Sequence, residues 1–292
     1  MKYDLFSIIL IKSFIMDFKD NRRSDKFRKT AQHFKSHLQH KNHRYVDQNL
    51  VNVWNDTKNY FVKNPKPISP STKINIWSLN EVLDDPKIVN NCVVEVLNED
   101  SFNLGIRYIS EGLNPLVLNM ASDFKPGGGV ANGKTAQEEE LFRRSNAHLT
   151  HPNAWYPLSK DEIIYSPEVT IIKDTRNNDY ALIDEVKVAM IAVAAIRRPK
   201  LVYGSFSKDD YDLMSNKIEA MFMVGIEKKH DALVLGAFGC GAFHNPPGEV
   251  AEIFSVMVDK YGKYFKKIGF AVLTVKSTDN DNLEAFREAF KK

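Results

Sequence analysis

The chain has 292 residues, 43% of them hydrophobic and 26% charged, which is typical of a soluble globular protein with one large domain or a domain plus an extension. Its two cysteines, Cys92 and Cys240, exclude a disulfide framework and cannot form a zinc site by themselves. An intracellular location, cytoplasmic or nuclear, is therefore expected, and secretion is not.

The first segment, residues 1–21, contains an apolar run from Leu5 to Met16 of about 12 residues, which is short of the roughly 20 that cross a bilayer. Asp4 and the absence of a small-x-small cleavage site argue against a secretory signal. We therefore expect no membrane partner. The polar stretch that follows Met16 gives the hypothesis that translation starts there.

Positive charge is concentrated near the amino terminus. Residues 1–70 carry 14 Lys and Arg against 6 Asp and Glu, whereas the rest of the chain carries 26 against 31. Apolar residues three or four positions apart predict an amphipathic helix over residues 21–40. Its basic residues form either a solvated helix face or an arm that contacts a polyanion, because clustered Lys and Arg bind such ligands.

The stretch "NPKPISPST", residues 64–72, is rich in proline and serine and predicts an extended linker. The chain is accordingly divided into an amino-terminal segment of uncertain order at 1–21, a basic helical extension with its linker at 22–73, and a main domain at 74–292.

The main domain alternates short apolar runs with longer helical segments, which favours a layered α/β fold. Strands are predicted at 92–98, 115–120, 168–173, 186–193, 232–238 and 267–275. Helices are predicted at 136–148, 208–228, 247–265 and 280–291. Sheets covered by helices on both faces bind ligands at the loops that lead from strands into helices.

The first glycine-rich loop of this kind reads "PGGGVANGKTAQEEELFRRS", residues 126–145. Three consecutive glycines allow a ligand to approach the backbone. Thr135 and Glu138 have the spacing of a capping box, with Thr135 as the helix N-cap. Glu139 and Glu140 each precede an arginine by four residues, so ion pairs with Arg143 and Arg144 are an alternative, purely structural role for the acids.

The second loop, "LGAFGCGAFHNPP" at residues 235–247, follows a strand and leads into a helix. Its backbone N–H groups suit a diphosphate, although neither the dinucleotide fingerprint nor a Walker A sequence is present. Phe243 is either a core residue or a ligand contact. Together the two loops indicate a nucleoside diphosphate sugar as ligand, with chemistry at the sugar.

The residues resemble those of the macrodomain proteins of the bacterial-type poly(ADP-ribose) glycohydrolases. The family signature is three glycines, six to eight residues and Gln-Glu-Glu, and here Gly127 to Gly129 precede Gln137, Glu138 and Glu139 by seven residues. The sequences "LNMAS", "ELFRRS", "YSPEV" and "VLGAFGCGAFHNPP" follow the family pattern in order. Asp123, Phe124 and Lys125 depart from it, because smaller or neutral residues are expected there.

This resemblance implies a three-layer α/β/α macrodomain with a mixed central sheet and an amino-terminal helical extension. It implies hydrolysis of the ribose–ribose O-glycosidic bond of poly(ADP-ribose), which releases ADP-ribose, with no metal or other cofactor. Glu139 is then the general acid, and Glu138 binds ribose hydroxyls. The remaining residues that the resemblance places at the ligand are Asn119, Gly127, Gly128, Gly129, Val130, Gln137, Gly239, Cys240, Gly241, Ala242 and Phe243.

The position of Glu139 in the first turn of a helix favours its ionised form and so opposes its role as an acid. Burial against the bound ligand, and the negative charge of that ligand, would have to raise its pKa. We therefore expect Glu139 to be protonated mainly in the complex.

Three other functions remain open from the sequence. A macrodomain can bind ADP-ribose without cleaving it, and the same fold can act on mono-ADP-ribosylated protein or nucleic acid. A nucleotide phosphatase is disfavoured because no metal cluster or nucleophile–base pair accompanies the second loop. A monomer is expected, with ADP-ribose or its polymer as ligand and a polyanion contact through the basic region.

Overall fold

The structure is a computed structural model that describes residues 46–79, 88–89, 91–274 and 280–291. The segment 1–21, the predicted helix at 21–40 and the proposed start at Met16 lie outside the described residues, and these expectations stay predictions. No helix in the described part of the chain is long and apolar enough to cross a membrane.

The described strands form one mixed sheet. They are β1 (Thr72–Asn75), β2 (Val93–Leu97), β3 (Pro115–Met120), β4 (Glu162–Lys173), β5 (Leu182–Val193), β6 (Ala232–Leu235) and β7 (Lys267–Ala271). Their order is β1-β4-β5-β3-β6-β7-β2. The five strands from β5 to β2 are parallel, whereas β4 is antiparallel to β5 and β1 is antiparallel to β4.

The described helices cover both faces of this sheet. They are α1 (Gln48–Lys63), α2 (Ser101–Ser110), α3 (Gln137–Arg144), α4 (Ala147–Thr150), α5 (Lys208–Glu227), α6 (Pro247–Tyr261) and α7 (Asn280–Ala289). Asp47 begins α1 and Asp100 begins α2, each through a side-chain oxygen that accepts N–H groups of the first turn.

Alternate strand residues point to opposite faces, and this alternation separates two cores. In β3, Leu116 and Leu118 belong to a core shared with α5, α6 and α7. Val117, between them, belongs to a second core shared with α1, α2 and α3. The predicted three-layer α/β/α fold with a mixed sheet is therefore confirmed.

Several elements differ from their predicted bounds. β4 and β5 begin earlier than predicted because they pair with each other as a long antiparallel ladder. The predicted helix at 136–148 is divided into α3 and α4, with Ser145 between them in extended conformation. The pattern does not predict β1, α1 or α2.

The predicted linker at 64–72 leads directly into β1, whose Thr72 pairs with Tyr165 of β4. Residues Asp47–Lys292 group into one compact unit, which includes α1 and this segment. The division of the chain at residue 73 stays a prediction for the part that precedes Asp47.

Parallel pairing places three loops at one edge of the sheet. β5, β3 and β6 are neighbours and run in the same direction. Their carboxyl ends therefore meet, and the loops that follow them, residues 121–136, 194–207 and 236–246, lie together. Both glycine-rich loops of the sequence are among the three.

Candidate active site

The first loop carries its two glutamates on α3, and the start of this helix is attached to β3 by Gln137. The Gln137 Oε1 accepts the Met120 N–H at 2.9 Å, and its Nε2 donates to the Leu118 carbonyl at 2.6 Å and to Ser101 Oγ at 3.1 Å. These bonds use both N–H donors of the amide. We therefore assign Gln137 a positioning role in place of the ligand contact expected from the sequence.

The predicted capping box is wrong. Ala136 is the N-cap of α3, and it forms no side-chain capping bond. Glu138 turns inward instead, because its carboxylate finds partners in the loop in front of the helix. The Gln137 bonds to β3 thus replace the predicted cap in fixing where the helix begins.

Glu138 is 3% exposed and connects the end of β3 with the glycine loop. Its Oε2 accepts the Ser122 N–H at 2.8 Å, and its Oε1 accepts the Gly127 N–H at 3.2 Å and the Asn119 amide at 3.4 Å. Burial, and to a smaller extent the neighbouring Glu139 charge, raises the pKa of Glu138 to about 8, although the hydrogen bonds oppose the rise.

Glu139 is 7% exposed and has one free oxygen. Its Oε1 accepts the Gly129 N–H at 2.7 Å, whereas its Oε2 is buried without a hydrogen-bond partner among the described residues. Burial raises the pKa of Glu139 above its ordinary value, and the N–H groups around it lower it less. The protein alone thus contributes to the rise by burying the group, and the expectation that Glu139 is protonated mainly in the complex stays a prediction.

The two acids approach each other at Gly128. A Cβ at this position would lie 2.7 Å from Glu139 Oε1 and 2.9 Å from Glu138 Oε2. Gly128 also has a φ of +50°, which favours glycine. Its missing side chain leaves the space in which both carboxylates converge. Two buried carboxyls this close retain a proton near neutral pH.

In the first loop, the backbone N–H groups from Gly127 to Val130 are all used within the protein. Those of Gly127 and Gly129 bind the two glutamates, and those of Gly128 and Val130 donate to the carbonyls of Lys125 and Gly127. The Val130 side chain is buried in the core. These glycines therefore hold the acids, and their ligand contact, which stays a prediction, does not use these amides in the absence of a ligand.

The predicted ion pairs of α3 are also wrong. Glu140 pairs with Arg143, at 3.0 Å, and not with Arg144. Arg144 is 1% exposed and pairs with Asp100, the N-cap of α2, while its Nε donates to the Lys173 carbonyl at 3.0 Å. The arginines are thus buried anchors of α3 and leave Glu139 without an ion pair among the described residues.

The second loop offers the free amides that the first lacks. The N–H groups of Gly239, Gly241, Ala242 and Phe243 have no acceptor among the described residues. Asn245 stabilises the loop by donating to the Gly239 carbonyl at 3.0 Å and to the Ile196 carbonyl at 2.8 Å. Several adjacent free N–H groups in one turn form an anion-binding cradle.

Two of the predicted ligand-binding residues, Asn119 and Cys240, differ in whether their side chains are available to a ligand. Asn119 is fully buried, and its Oδ1 has no partner among the described residues, so it can receive a ligand hydroxyl. Cys240 is half-buried, and burial raises the pKa of its thiol to about 12. The thiol therefore stays protonated and is a poor nucleophile. The Cys240 N–H donates to the Ala237 carbonyl at 3.1 Å, and the ligand contact expected of Cys240 stays a prediction.

The sequence reasoning did not identify Tyr156 or Arg197. The Tyr156 hydroxyl is buried without a partner among the described residues, and burial together with the Glu138 charge raises its pKa. Arg197 pairs with Asp123, one of the residues that departs from the family pattern. Both are far from the glutamates in sequence, and no local spacing indicates them.

No group of three or more His, Cys, Asp or Glu side chains within the described ranges could hold a metal ion. The described residues do offer two buried carboxyl groups on α3 and several free backbone amides in the second loop.

Comparisons with known proteins bear on the family and the fold. The family model described as the microbial-type PARG catalytic domain matches residues 28–174, half of the chain. The fold is similar to that of the poly(ADP-ribose) glycohydrolase of Thermomonospora curvata, with a TM-score of 0.72 and 24% identity over 82% of this chain and 99% of that one. A comparison with curated proteins finds no match.

A second similar structure is the poly(ADP-ribose) glycohydrolase of Deinococcus radiodurans in complex with ADP-ribose. It has a TM-score of 0.65 and 27% identity over 76% of this chain and 94% of that one. The Thermomonospora curvata enzyme bound to the inhibitor ADP-HPD has a TM-score of 0.67 and 23% identity, with the same coverage as its other structure, 82% and 99%.

Proposed function

The chain belongs to the microbial-type poly(ADP-ribose) glycohydrolases, and from this premise we propose how its site cleaves the ribose–ribose O-glycosidic bond. It is a glycosidase whose substrate is poly(ADP-ribose). The second loop holds the diphosphate of the terminal ADP-ribose unit, and the two acids of α3 lie at its ribose. The Oε2 of Glu139 is buried without a hydrogen-bond partner among the described residues, and this observation supports the assignment best.

Glu139 is the general acid in this proposal. Cleavage passes through an oxocarbenium-like state and requires a proton on the leaving oxygen. Glu139 donates its proton to the leaving ribose hydroxyl oxygen as the C–O bond breaks. Water then adds to the ribosyl carbon, and its surplus proton returns to the Glu139 carboxylate, which restores the acid.

Glu138 is the partner that holds negative charge. Both of its oxygens accept N–H groups, which favours a carboxylate, whereas the free Oε2 of Glu139 accommodates a proton. The hydrogen bonds thus decide where the shared proton lies, although burial raises the pKa of both groups. Glu138, with Asn119 beside it, also accepts ribose hydroxyls.

Replacement of Glu139 by glutamine tests the acid. Glu139→Gln removes the proton donor and preserves the shape of the side chain, so kcat for ADP-ribose release should fall by about 10² to 10⁴, while the Kd for ADP-ribose changes little. Release is followed by chromatography and binding by calorimetry.

Glu140→Gln is the matched control, because Glu140 lies next in α3 but pairs with Arg143 and Tyr180. It should retain most of the activity. An active Glu139→Gln enzyme would exclude Glu139 as the acid, and an enzyme that also loses ADP-ribose binding would indicate misfolding, which the melting temperature reports.

The substrate range is tested by supplying poly(ADP-ribose), mono-ADP-ribosylated protein and ADP-ribosylated DNA side by side. Release from the polymer supports the proposal, whereas binding without release from any of the three identifies an ADP-ribose reader. Release from only a mono-ADP-ribosylated substrate would place the chain with the mono-ADP-ribosyl hydrolases.

The partners and the compartment are supported less directly. The free thiols of Cys92 and Cys240 suit a reducing cytoplasmic or nuclear compartment. The polyanion contact of the basic region and the monomeric state stay predictions.

A further inference from the structure

The loop that joins β5 to α5, residues 194–207, connects the two loops of the site. Its Arg197 forms an ion pair with Asp123 of the first loop. The Arg197 Cζ also lies 4.1 Å from the ring centroid of Phe243 in the second loop. The departure of Asp123 from the family pattern thus has a partner, and residues 194–207 are fixed beside the ribose end of the site.

Backbone bonds continue this attachment past Arg197. The Arg198 N–H donates to the Phe243 carbonyl at 2.8 Å. At the other end of the loop, the Phe206 N–H donates to the Glu249 carboxylate at 2.7 Å, and the Phe206 ring is buried. The loop is therefore held at both ends, and its middle part projects from a fixed base.

The tip of the loop is a tight turn that presents a tyrosine. Val202 and Ser205 exchange two backbone hydrogen bonds, at 2.8 and 3.1 Å. The two residues between them have positive φ, +53° for Tyr203 and +89° for Gly204, as a type I′ turn requires. A bulky residue is uncommon in this conformation, and the Tyr203 side chain is fully exposed.

Two unpaired cations accompany this tyrosine. Arg198 and Lys200 are exposed, and neither forms an ion pair within the described part of the chain. Arg197, by contrast, is occupied by Asp123 and Phe243. The outer surface of the loop therefore combines an aromatic face with positive charge.

We propose that Arg198, Lys200 and Tyr203, here called the rim, bind the second ADP-ribose unit of the polymer, the one from which the terminal unit is released. The scissile bond joins the two units, so the second unit leaves the site next to the acids and the ribose. It carries an adenine, which can stack on an exposed tyrosine, and a diphosphate, which attracts arginine and lysine.

The inference rests on the proposed function, because only a polymer has a second unit. It also predicts an effect on binding that separates the polymer from single ADP-ribose. The rim should contribute to the binding of poly(ADP-ribose) and leave the binding of single ADP-ribose unchanged.

Tyr203→Asn tests the stacking contact. Asparagine followed by glycine favours the type I′ turn, so this change removes the ring and keeps the loop. Binding is measured with poly(ADP-ribose) and with ADP-ribose, both in a Glu139→Gln background that prevents cleavage. Loss of one stacked base predicts an affinity for the polymer lower by about tenfold, with unchanged affinity for ADP-ribose.

Tyr203→Phe keeps the ring and should restore polymer binding to within about twofold. Arg198→Gln with Lys200→Gln should reduce the slope of log affinity against log salt by roughly 0.7 for each phosphate that the rim no longer neutralises. Trp77→Asn is the matched control for removal of an exposed aromatic ring, because Trp77 is 63% exposed and follows the edge strand β1.

Two results would overturn the inference. Unchanged polymer affinity in Tyr203→Asn would exclude the rim as a contact, and equal losses for polymer and ADP-ribose would show that the loop only supports the first site. Failure of the wild-type protein to release ADP-ribose from the polymer would instead refute the proposed function.

Discussion

At the scale of single residues, the arrangement of the acids depends on a position that has no side chain. At Gly128, any Cβ would come too close to both glutamates, so only glycine leaves room for them. With a larger residue at this position, Glu138 and Glu139 could not approach each other in the buried site that raises the pKa of each. The glycine loop thus helps to position both carboxyl groups.

Gly128→Ala should therefore inactivate the enzyme by displacing the carboxylates. The new methyl group would lie under 3 Å from both, and the φ of +50° adds strain. We expect kcat/KM to fall by at least about 10², because a displacement of about 1 Å near the chemistry can cost this much. Steady-state kinetics on poly(ADP-ribose) measure it.

The control for this substitution is Gly248→Ala in α6. A Cβ at Gly248 meets no atom within 4 Å, and its φ is not positive. Activity close to wild type is expected for Gly248→Ala. If Gly128→Ala were equally active, the close approach of the two acids would not matter for catalysis.

At this scale the sequence predicted identities better than contacts. The signature of Gly127 to Gly129 with Glu138 and Glu139 named the residues that meet in the structure. It could not show that Glu138 turns back to Ser122, because a capping box and an inward carboxylate have the same spacing. Nor could it show that Arg144 pairs with Asp100, 44 residues away.

At the scale of elements, α1 supports α3 and the first glycine-rich loop through a cluster of aromatic rings. The ring centroid of Trp54 in α1 lies 6.2 Å from that of Phe142 in α3 and 5.1 Å from that of His148. Phe142 in turn lies under Gly127, where a Cβ would be 2.5 Å from its ring. The helix that the sequence did not predict is therefore packed beneath the glycines.

Trp54→Ala should destabilise the fold and loosen the loop together. Removal of a buried aromatic side chain costs about 3 to 5 kcal/mol, and the cavity would lie beside Phe142. Val62→Ala, on the exposed side of α1, should change the unfolding free energy by less than about 0.5 kcal/mol. Urea denaturation compares the two, and equal effects would show that α1 is not packed on α3.

The elements that the sequence predicted well are those with the strongest patterns. β3 has its predicted bounds because "PLVLNM" is a continuous apolar run between two parallel neighbours. Helix α1 was missed because its buried face consists of Leu50, Trp54, Thr57 and Phe61, in which a threonine interrupts the apolar stripe. The Thr57 hydroxyl donates to the Arg143 carbonyl, a tertiary contact that local periodicity does not contain.

At the scale of the whole molecule, buried ionisable groups set the pH dependence of stability. Burial lowers the pKa of His148 and of His151 to about 4. Their contribution to the unfolding free energy is fully present above the unfolded pKa of about 6.5 and is lost as the pH falls toward 4. The buried pair of Glu138 and Glu139 acts in the opposite direction, since burial raises the pKa of both and the pair holds one proton near neutral pH. Its contribution is fully present below about pH 4.3 and is lost as the pH rises.

The unfolding free energy should therefore be largest near pH 6.5, at roughly the unfolded histidine pKa. His148, His151 and His230, whose pKa is also lowered by burial, outweigh the glutamate pair below this pH. The glutamate pair dominates from there to about pH 8, because the lowered pKa of Lys217 matters only above that value. Urea titrations from about pH 4 to 9 measure the curve.

Glu138→Gln should remove most of the decline between about pH 6.5 and 8 while keeping the loss of stability in acid. His148→Gln should reduce the loss of unfolding free energy below about pH 6.5 and leave the decline between about pH 6.5 and 8 unchanged. A wild-type unfolding free energy that rises steadily to pH 8 would contradict the raised pKa of Glu138.

The buried, unpartnered oxygen of Glu139 also concerns the timing of the reaction cycle. Because the chain itself encloses this group, part of the rise in its pKa is present before any ligand binds. If Glu139 is the acid, as proposed above, substrate binding then supplies less of the energy that prepares it for proton transfer.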